Sequence, residues 1–286
     1  MTLSPDELER IRSASADKLA RLKAIVAERD GALIAFSAGV DSTFVLAVAR
    51  EVLGARALAL TAHSPSVPAA EREEARELAR RLGARHVEVE SREAEDPRYL
   101  ANPVDRCYFC KSELYRVCDE VARAEGLPVI LDGFNADDRR DHRPGHRAAL
   151  ERSVRSPLAE AELTKDEIRA WSEALGLPTW DKPQMACLAS RIPYGTPITP
   201  ERLARVERAE AGIRRLGLRQ FRVRDHGDVA RIEVASDEMG LAFALRAALV
   251  EALKGAGFRL ATLDLEPFRS GRLNEVAGIA PPVVGA

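Results

Sequence analysis

The chain has 286 residues, with 43 Lys plus Arg against 45 Asp plus Glu and a formal net charge of −2. That length suits two domains or one large one, and a near-neutral chain is a poor candidate for blanket binding to DNA or to an anionic membrane. Hydrophobic residues make up 46% and charged residues 31%, a globular balance that excludes wholesale disorder, and no apolar run approaches the ~20 residues of a membrane span.

Ser4-Pro5-Asp6-Glu7 reads as an N-cap, a Pro at the first helical position and a capping-box Glu. Leu8, Ile11, Leu19, Leu22, Ile25 and Val26 follow at helical spacing, which predicts one helix ending near Asp30-Gly31. The polar stretch from Met1 to Arg12 has no signal-peptide pattern. Ala32 to Phe36 is a short apolar run suited to a strand buried on both faces. A polar segment, Ser37 to Ser42, leads into a helical pattern closed by Gly54. A strand (Ala57 to Thr61), a helix (Pro68 to Leu82), a strand (His86 to Glu90), a helix (Lys111 to about Glu125) and a strand (Pro128 to Leu131) follow. This alternation predicts right-handed crossovers and a parallel sheet with helices on both faces, an α/β fold.

Asp132 to Ser156 is polar, Arg-rich and nearly aperiodic. Thr164-Lys165-Asp166-Glu167 fits a capping box opening a helix to about Gly176. Pro178 to Pro200 is turn-rich, and long irregular segments inside a fold are usually functional or linkers. The tail predicts a helix (Pro200 to Leu216), two strands (Gln220 to Arg224 and Val229 to Val234), a helix (Asp237 to Ala256) and a strand (Arg259 to Leu265), a small α+β domain. Lysine is scarce, six residues against a large arginine excess. Single arginines are therefore weak evidence for phosphate binding.

The segment Ser37-Ala38-Gly39-Val40-Asp41-Ser42 sits between a buried strand and a helix, where open parallel sheets bind ligands. Amides at the helix start and two serine hydroxyls suit phosphate. It is not a Walker loop. It resembles the PP-loop, S-G-G-x-D-S, of ATP pyrophosphatases, which cleave ATP between the α- and β-phosphates. Ala38 stands at that pattern's first glycine, and an alanine required to take φ > 0 is strained. The resemblance implies ATP contacts at Ser37, Gly39, Asp41 and Ser42, backbone contacts near His63, and further contacts from Gly133 and Asn135. Asp137 and Asp138, in a segment similar to the superfamily's G-x-N-x-D-D, suit Mg²⁺, a hard cation preferring oxygen ligands.

Four cysteines are present: Cys107, Cys110, Cys118 and Cys187. So few in a long chain exclude a disulfide scaffold and point to a reducing cytoplasm. Cys107-Tyr108-Phe109-Cys110 leaves a thioredoxin-like motif, a zinc site and an iron–sulfur site open. Cys118 shares an apolar helix stripe with Leu114 and Val121, the signature of packing.

Arg106 to Lys111, Ala186 to Gly195 and Phe221 to Asp228 look like motifs of the LarE family, and the likeness covers almost the whole chain. That resemblance implies a PP-loop sulfur transferase that converts pyridinium-3,5-biscarboxylic acid mononucleotide to its bis-thiocarboxylate. One version of the family sacrifices the sulfur of a cysteine matching Cys187, which becomes dehydroalanine. The other holds a [4Fe–4S] cluster on three cysteines, here Cys107, Cys110 and Cys187, and the presence of all three favours it. The likeness further implies a catalytic role for these cysteines with Lys111, a phosphate grip from Ser190, Arg222 and Arg224, and a substrate-side acid at Glu233. It divides the chain into an ATP domain, residues 1–181, and a C-terminal substrate-binding and oligomerisation domain, residues 182–286, with homo-oligomers expected. ATP, Mg²⁺ and the cluster are the cofactors, and a small nucleotide is the partner, with no nucleic acid and no membrane. The sulfur donor is not readable. A tRNA thiolase is the alternative enzyme, and a zinc or redox module is the alternative without catalysis.

Overall fold

Each short apolar run is followed by a helix that returns the chain to the same edge, so the runs pair in parallel. The computed structural model describes residues 4–140, 143–183, 186–269 and 271–279. Its first half runs α1 (Pro5–Ala14), α2 (Ala16–Ala27), β1 (Ala32–Ala35), α3 (Val40–Leu53), β2 (Ala57–His63), α4 (Ala69–Arg81), β3 (Arg85–Glu90), α5 (Pro97–Leu100), α6 (Arg106–Ala124) and β4 (Ile130–Leu131). Then come α7 (Pro144–Glu151), α8 (Pro157–Glu160), α9 (Lys165–Ala174), α10 (Pro200–Arg215), β5 (Phe221–His226), β6 (Val229–Val234), α11 (Met239–Ala244), α12 (Arg246–Gly255), β7 (Leu260–Leu263) and α13 (Arg272–Val276).

The main sheet has the order β3-β2-β1-β4, all parallel. Strand alternation splits its side chains into two cores. Ala32, Ile34, Ala57 and Ala59 face α2, α3 and α4. Leu33, Leu58, Leu60 and Ile130 face α6 and α7. Helices therefore cover both faces, as expected of a parallel sheet. The strand order turns back between β1 and β4, so a crevice opens beyond their C-terminal ends.

The second sheet has the order β5-β6-β7, with β5 antiparallel and β7 parallel to β6. Phe221, Val223, Ile232 and Val234 pack under α10 and α12 in a third core. Tyr99 is buried in that same core, and Leu100, Phe109, Cys110 and Cys187 pack against it. The two layers thus share a seam lined by cysteines.

Several boundaries differ from expectation. The first helix is two, broken at Ser15, whose hydroxyl bonds the Ile11 carbonyl (2.6 Å) and accepts from Trp171 Nε1 (3.0 Å). A serine that bonds its own backbone competes with the helix ladder. The helix expected from Lys111 starts at Arg106, so the C-x-x-C lies inside it. The aperiodic stretch after Asp132 contains α7. The late helix breaks at Leu245 into α11 and α12. Among the described residues no helix is long and apolar enough to cross a membrane.

Candidate active site

The Ser37–Ser42 loop closes on itself. The Ser42 hydroxyl bonds the Ser37 amide (3.2 Å), the Ser37 hydroxyl (3.1 Å) and the Gly39 carbonyl (3.3 Å). Gly39 caps α3 without a side chain, and the Thr43 amide is bonded to its carbonyl (3.0 Å). The amides before Thr43 point out of the helix start, where an anion is favoured. Ala38 is wholly buried with φ +56°, the left-handed conformation anticipated for the glycine position. Lys182 donates to its carbonyl (3.1 Å) and pairs with Glu74 (2.6 Å).

The segment after β4 closes over this loop. Gly133 lies against the start of α3, with Ser42 and Asp41 filling the space beyond its Cα. Asn135 is buried, donates to Asp41 (3.3 Å) and accepts from the amides of Asp137 (2.9 Å) and Asp138 (3.2 Å). Asp41 also pairs with Lys165. Burial pushes the Asp138 carboxyl up, against the pull of Arg143 (2.6 Å), and Asp41 raises it further. Carboxylate oxygens are suitable donors for a hard divalent cation. The Asp137 carboxylate accepts from the Lys165 amide (2.8 Å) and so is tied to the start of α9. At the end of β2, the His63 carbonyl accepts from the Ser91 amide (2.7 Å), and its Nε2 pairs with Glu88. His63 Nδ1 is buried with no hydrogen-bond partner among the described residues.

Cys107 is exposed at the first turn of α6, and Cys110 and Cys187 are half-buried. Arg106 ties their segments together. It donates to Asn102 (2.5 Å) and to the Ala189 carbonyl (3.2 Å). The Asn102 amide side chain in turn holds the carbonyls of Ile192, Pro193 and Thr196 (3.3, 2.8 and 2.9 Å). The Leu188 amide donates to the Ser66 carbonyl (2.8 Å). Burial pushes the Cys110 thiol up, and Glu93, Cys187 and Cys107 add to the shift. Among the described residues no three His, Cys, Asp or Glu side chains are gathered tightly enough for a single metal ion. Cys118 is elsewhere, in the core with Leu33 and Leu58, its thiol pushed up to about 12 by burial. Lys111 lies over the Tyr115 ring (5.7 Å), and Gly145 of α7 sits directly on its stem.

Ser190 follows in a 3-10 turn over Leu188–Arg191, its hydroxyl on the Cys187 carbonyl (2.7 Å). Arg222 and Arg224 are buried, not solvated, while Phe221 and Val223 enter the core on the other side of β5. Arg224 donates to the Ser190 carbonyl (2.8 Å) and pairs with Glu233 (2.6 Å). Glu233 is fully buried and also pairs with Arg231 (3.1 Å). Burial and the nearby Arg191 lower Arg222 to about 10, so an arriving anion would be welcome there.

Sequence reasoning passed over Glu210, Lys165 and Lys182, and the depth at which Arg191 is buried. Arg191 is wholly buried and forks onto Glu210 with two 2.8 Å bonds, while its third nitrogen holds the Ala186 and Cys187 carbonyls. Glu210 also accepts from the Val223 amide (3.1 Å). Lys165 and Lys182 reach the phosphate loop. Their signal was the scarcity of lysine: with only six in the chain, Lys111, Lys165 and Lys182 all stand at this site.

The pattern of the asparagine synthase family matches residues 29–233. An uncharacterised protein of Synechocystis is 49% identical over 261 residues, covering 91% of this chain and 97% of that protein. The pyridinium-3,5-bisthiocarboxylic acid mononucleotide synthase of Lactiplantibacillus plantarum is 37% identical over 261 residues, covering 91% and 95%. A glutamine-hydrolysing GMP synthase of Aeropyrum pernix is 30% identical over 207 residues, covering 64% of this chain and 39% of that protein.

Proposed function

The chain belongs to the LarE family of PP-loop enzymes, and from that membership we propose that it is the ATP-dependent sulfurtransferase that thiolates pyridinium-3,5-biscarboxylic acid mononucleotide. The observation that carries this reading is the 37% identity to such a synthase over nearly the whole chain, supported by a phosphate loop closed by Ser37 and Ser42.

A substrate carboxylate attacks the α-phosphorus of ATP, forming an acyl-adenylate and releasing pyrophosphate. The protein's part is positioning and charge stabilisation. Ser37, Gly39, Asp41 and Ser42 hold the leaving pyrophosphate, with Gly133 and Asn135 closing over them. Asp137 and Asp138 would hold Mg²⁺, and Asp137 also ties the segment to the start of α9. The end of β2 at His63 would supply backbone contacts to the nucleotide. Ser190, Arg222 and Arg224 grip the substrate's own phosphate, and Glu233 keeps Arg224 aimed. A [4Fe–4S] cluster held by Cys107, Cys110 and Cys187 would supply the sulfur nucleophile. Lys111, one residue beyond Cys110, offers a cation to the departing AMP.

Exposed Leu241, Phe243, Leu260 and Leu265 support an interface between copies of the chain in the C-terminal layer, beside the edge strand β7. Residues 1–181 supply the ATP side of this reading and residues 182–286 the substrate and oligomer side. A reducing cytoplasm suits three free thiols of this kind.

The test is anaerobic purification with measurement of iron, labile sulfide and zinc, followed by one turnover and the mass of the polypeptide. Iron with an intact polypeptide and a thiolated product is the expected result. Loss of sulfur from Cys187 would replace the cluster with the sacrificial route. Zinc with no pyrophosphate release would overturn the reading.

A further inference from the structure

The chain beyond β7 buries little, yet directed bonds hold it in place. No residue of α13 is buried, and Leu265 stands 90% exposed. A segment that hides so little apolar surface contributes little to the core. Its anchors run along β6 instead. The Asp264 amide donates to the Ile232 carbonyl (2.8 Å), and the Phe268 amide donates to the Val234 carbonyl (2.7 Å). The Asp264 carboxylate takes Arg231 (3.5 Å) and Arg272 (3.4 Å), and Arg269 forks onto Glu275 (2.6 and 2.7 Å). At the far end, the Asn274 side-chain oxygen accepts from the Tyr194 hydroxyl (3.0 Å).

Both places that this segment reaches belong to the chemistry above. Tyr194 lies seven residues beyond Cys187, its ring under the Arg106 guanidinium (5.5 Å) that ties the cysteine segments together. Phe268 lies against Arg222 of β5, with the guanidinium carbon 4.8 Å from the ring centre. Arg222 is buried and also donates to the Phe221 carbonyl (2.7 Å). An aromatic ring engages the face of a guanidinium, whereas the N–H donors lie in its plane. Phe268 therefore fixes the plane of Arg222 without taking the donors that a phosphate oxygen needs. A carboxylate in the same place would hold the arginine as firmly but would neutralise part of its charge.

We propose that Phe268 is a positioning residue for the substrate phosphate: its ring holds the Arg222 guanidinium in the orientation that receives the 5′-phosphate, and the chain after β7 keeps the ring there. Without the ring, Arg222 turns about its side-chain torsions and meets the phosphate less often in the right plane. This inference rests on the reading in which Arg222 grips that phosphate.

The test is calorimetric titration of the anaerobically purified full chain, without ATP, with pyridinium-3,5-biscarboxylic acid mononucleotide and with the nucleoside that lacks its phosphate. The wild type should bind the nucleotide more tightly. Phe268→Ala should weaken the nucleotide by about fivefold or more, the weight of a partly desolvated cation–π contact, and leave the nucleoside unchanged. Phe268→Trp, which keeps a π face, should restore most of the loss. Phe268→Leu, which keeps only apolar bulk, should not, and it decides the matter if Phe268→Ala does not fold. With the wild-type preference intact, three results overturn the positioning role alone: an unchanged nucleotide affinity in Phe268→Ala, equal weakening of nucleotide and nucleoside, or full rescue by leucine. A wild type that does not prefer the nucleotide overturns the phosphate grip at Arg222 and this inference with it.

Discussion

Gly133 lies directly against the amide of Ser42: a Cβ at this glycine would stand 3.0 Å from that nitrogen and 3.1 Å from the Asp41 Cβ. The segment after β4 can close over the phosphate loop only because nothing projects from this position. Gly133→Ala forces the two segments apart, an overpacking cost of about 1–3 kcal/mol. The variant should fold normally by circular dichroism, with kcat/KM for ATP-dependent pyrophosphate release down by about tenfold or more. An unchanged value would mean that the two segments do not grip the nucleotide together.

Ala38 is the reverse case, a side chain where a glycine is easier. Its left-handed backbone (φ +56°) carries about 1–2 kcal/mol of strain. Glycine relieves it but loses about 0.4–1 kcal/mol through the more flexible unfolded chain. Ala38→Gly should therefore raise the melting temperature by about 1–4 °C in calorimetry. A fall would show that burial of the alanine methyl in the core outweighs the backbone strain.

The Arg191–Glu210 pair gives a pH signature. Burial alone would push the Glu210 carboxyl up, but the Arg191 charge and its two bonds outweigh burial and hold it below the usual 4.5. A depressed folded value means stability that is complete above about pH 4.5 and is lost as pH falls through the folded value. Glu210→Gln leaves a buried guanidinium without its counter-charge, at about 3–5 kcal/mol. Denaturation should show that loss near neutral pH, and the gap between wild type and variant should narrow as pH drops from about 5 toward 3.

The cysteines separate by role. Cys110→Ala should abolish iron in anaerobically purified protein and stop thiolation while ATP still binds. Cys118→Ala should retain iron and lose only about 1 kcal/mol of stability, as for a small core residue. Iron and sulfide per chain decide between them. Iron loss in Cys118→Ala at unchanged stability would put this thiol in the site.

The main sheet was readable because Ala32 to Phe36 and Ala57 to Thr61 are apolar at every position, which a two-sided burial requires. The phosphate loop was readable because its residues are contiguous. Glu210 was not, because on its own helix it is one acid among many, and its importance comes from an arginine nineteen residues away folding back onto it. Ser15 was hidden for a related reason. Helical spacing continues across it, and only a hydroxyl turned back onto the ladder marks the break. The burial of Arg222 and Arg224 was also out of reach, since alternation along a strand says which side chains share a face but not what covers that face.

The shared seam between the layers has a thermal consequence. Tyr99, Phe109 and Cys110 precede β4 in the chain, yet they pack with the core beneath β5 and β6. The phosphate loop belongs to a different core, built on β1 and α3. Local opening follows such cooperative units rather than chain order. Warming that loosens the C-terminal layer first would take away the substrate grip and the walls of the thiol site while the phosphate loop stays folded, so nucleotide binding should persist to a higher temperature than either pyrophosphate release or product formation.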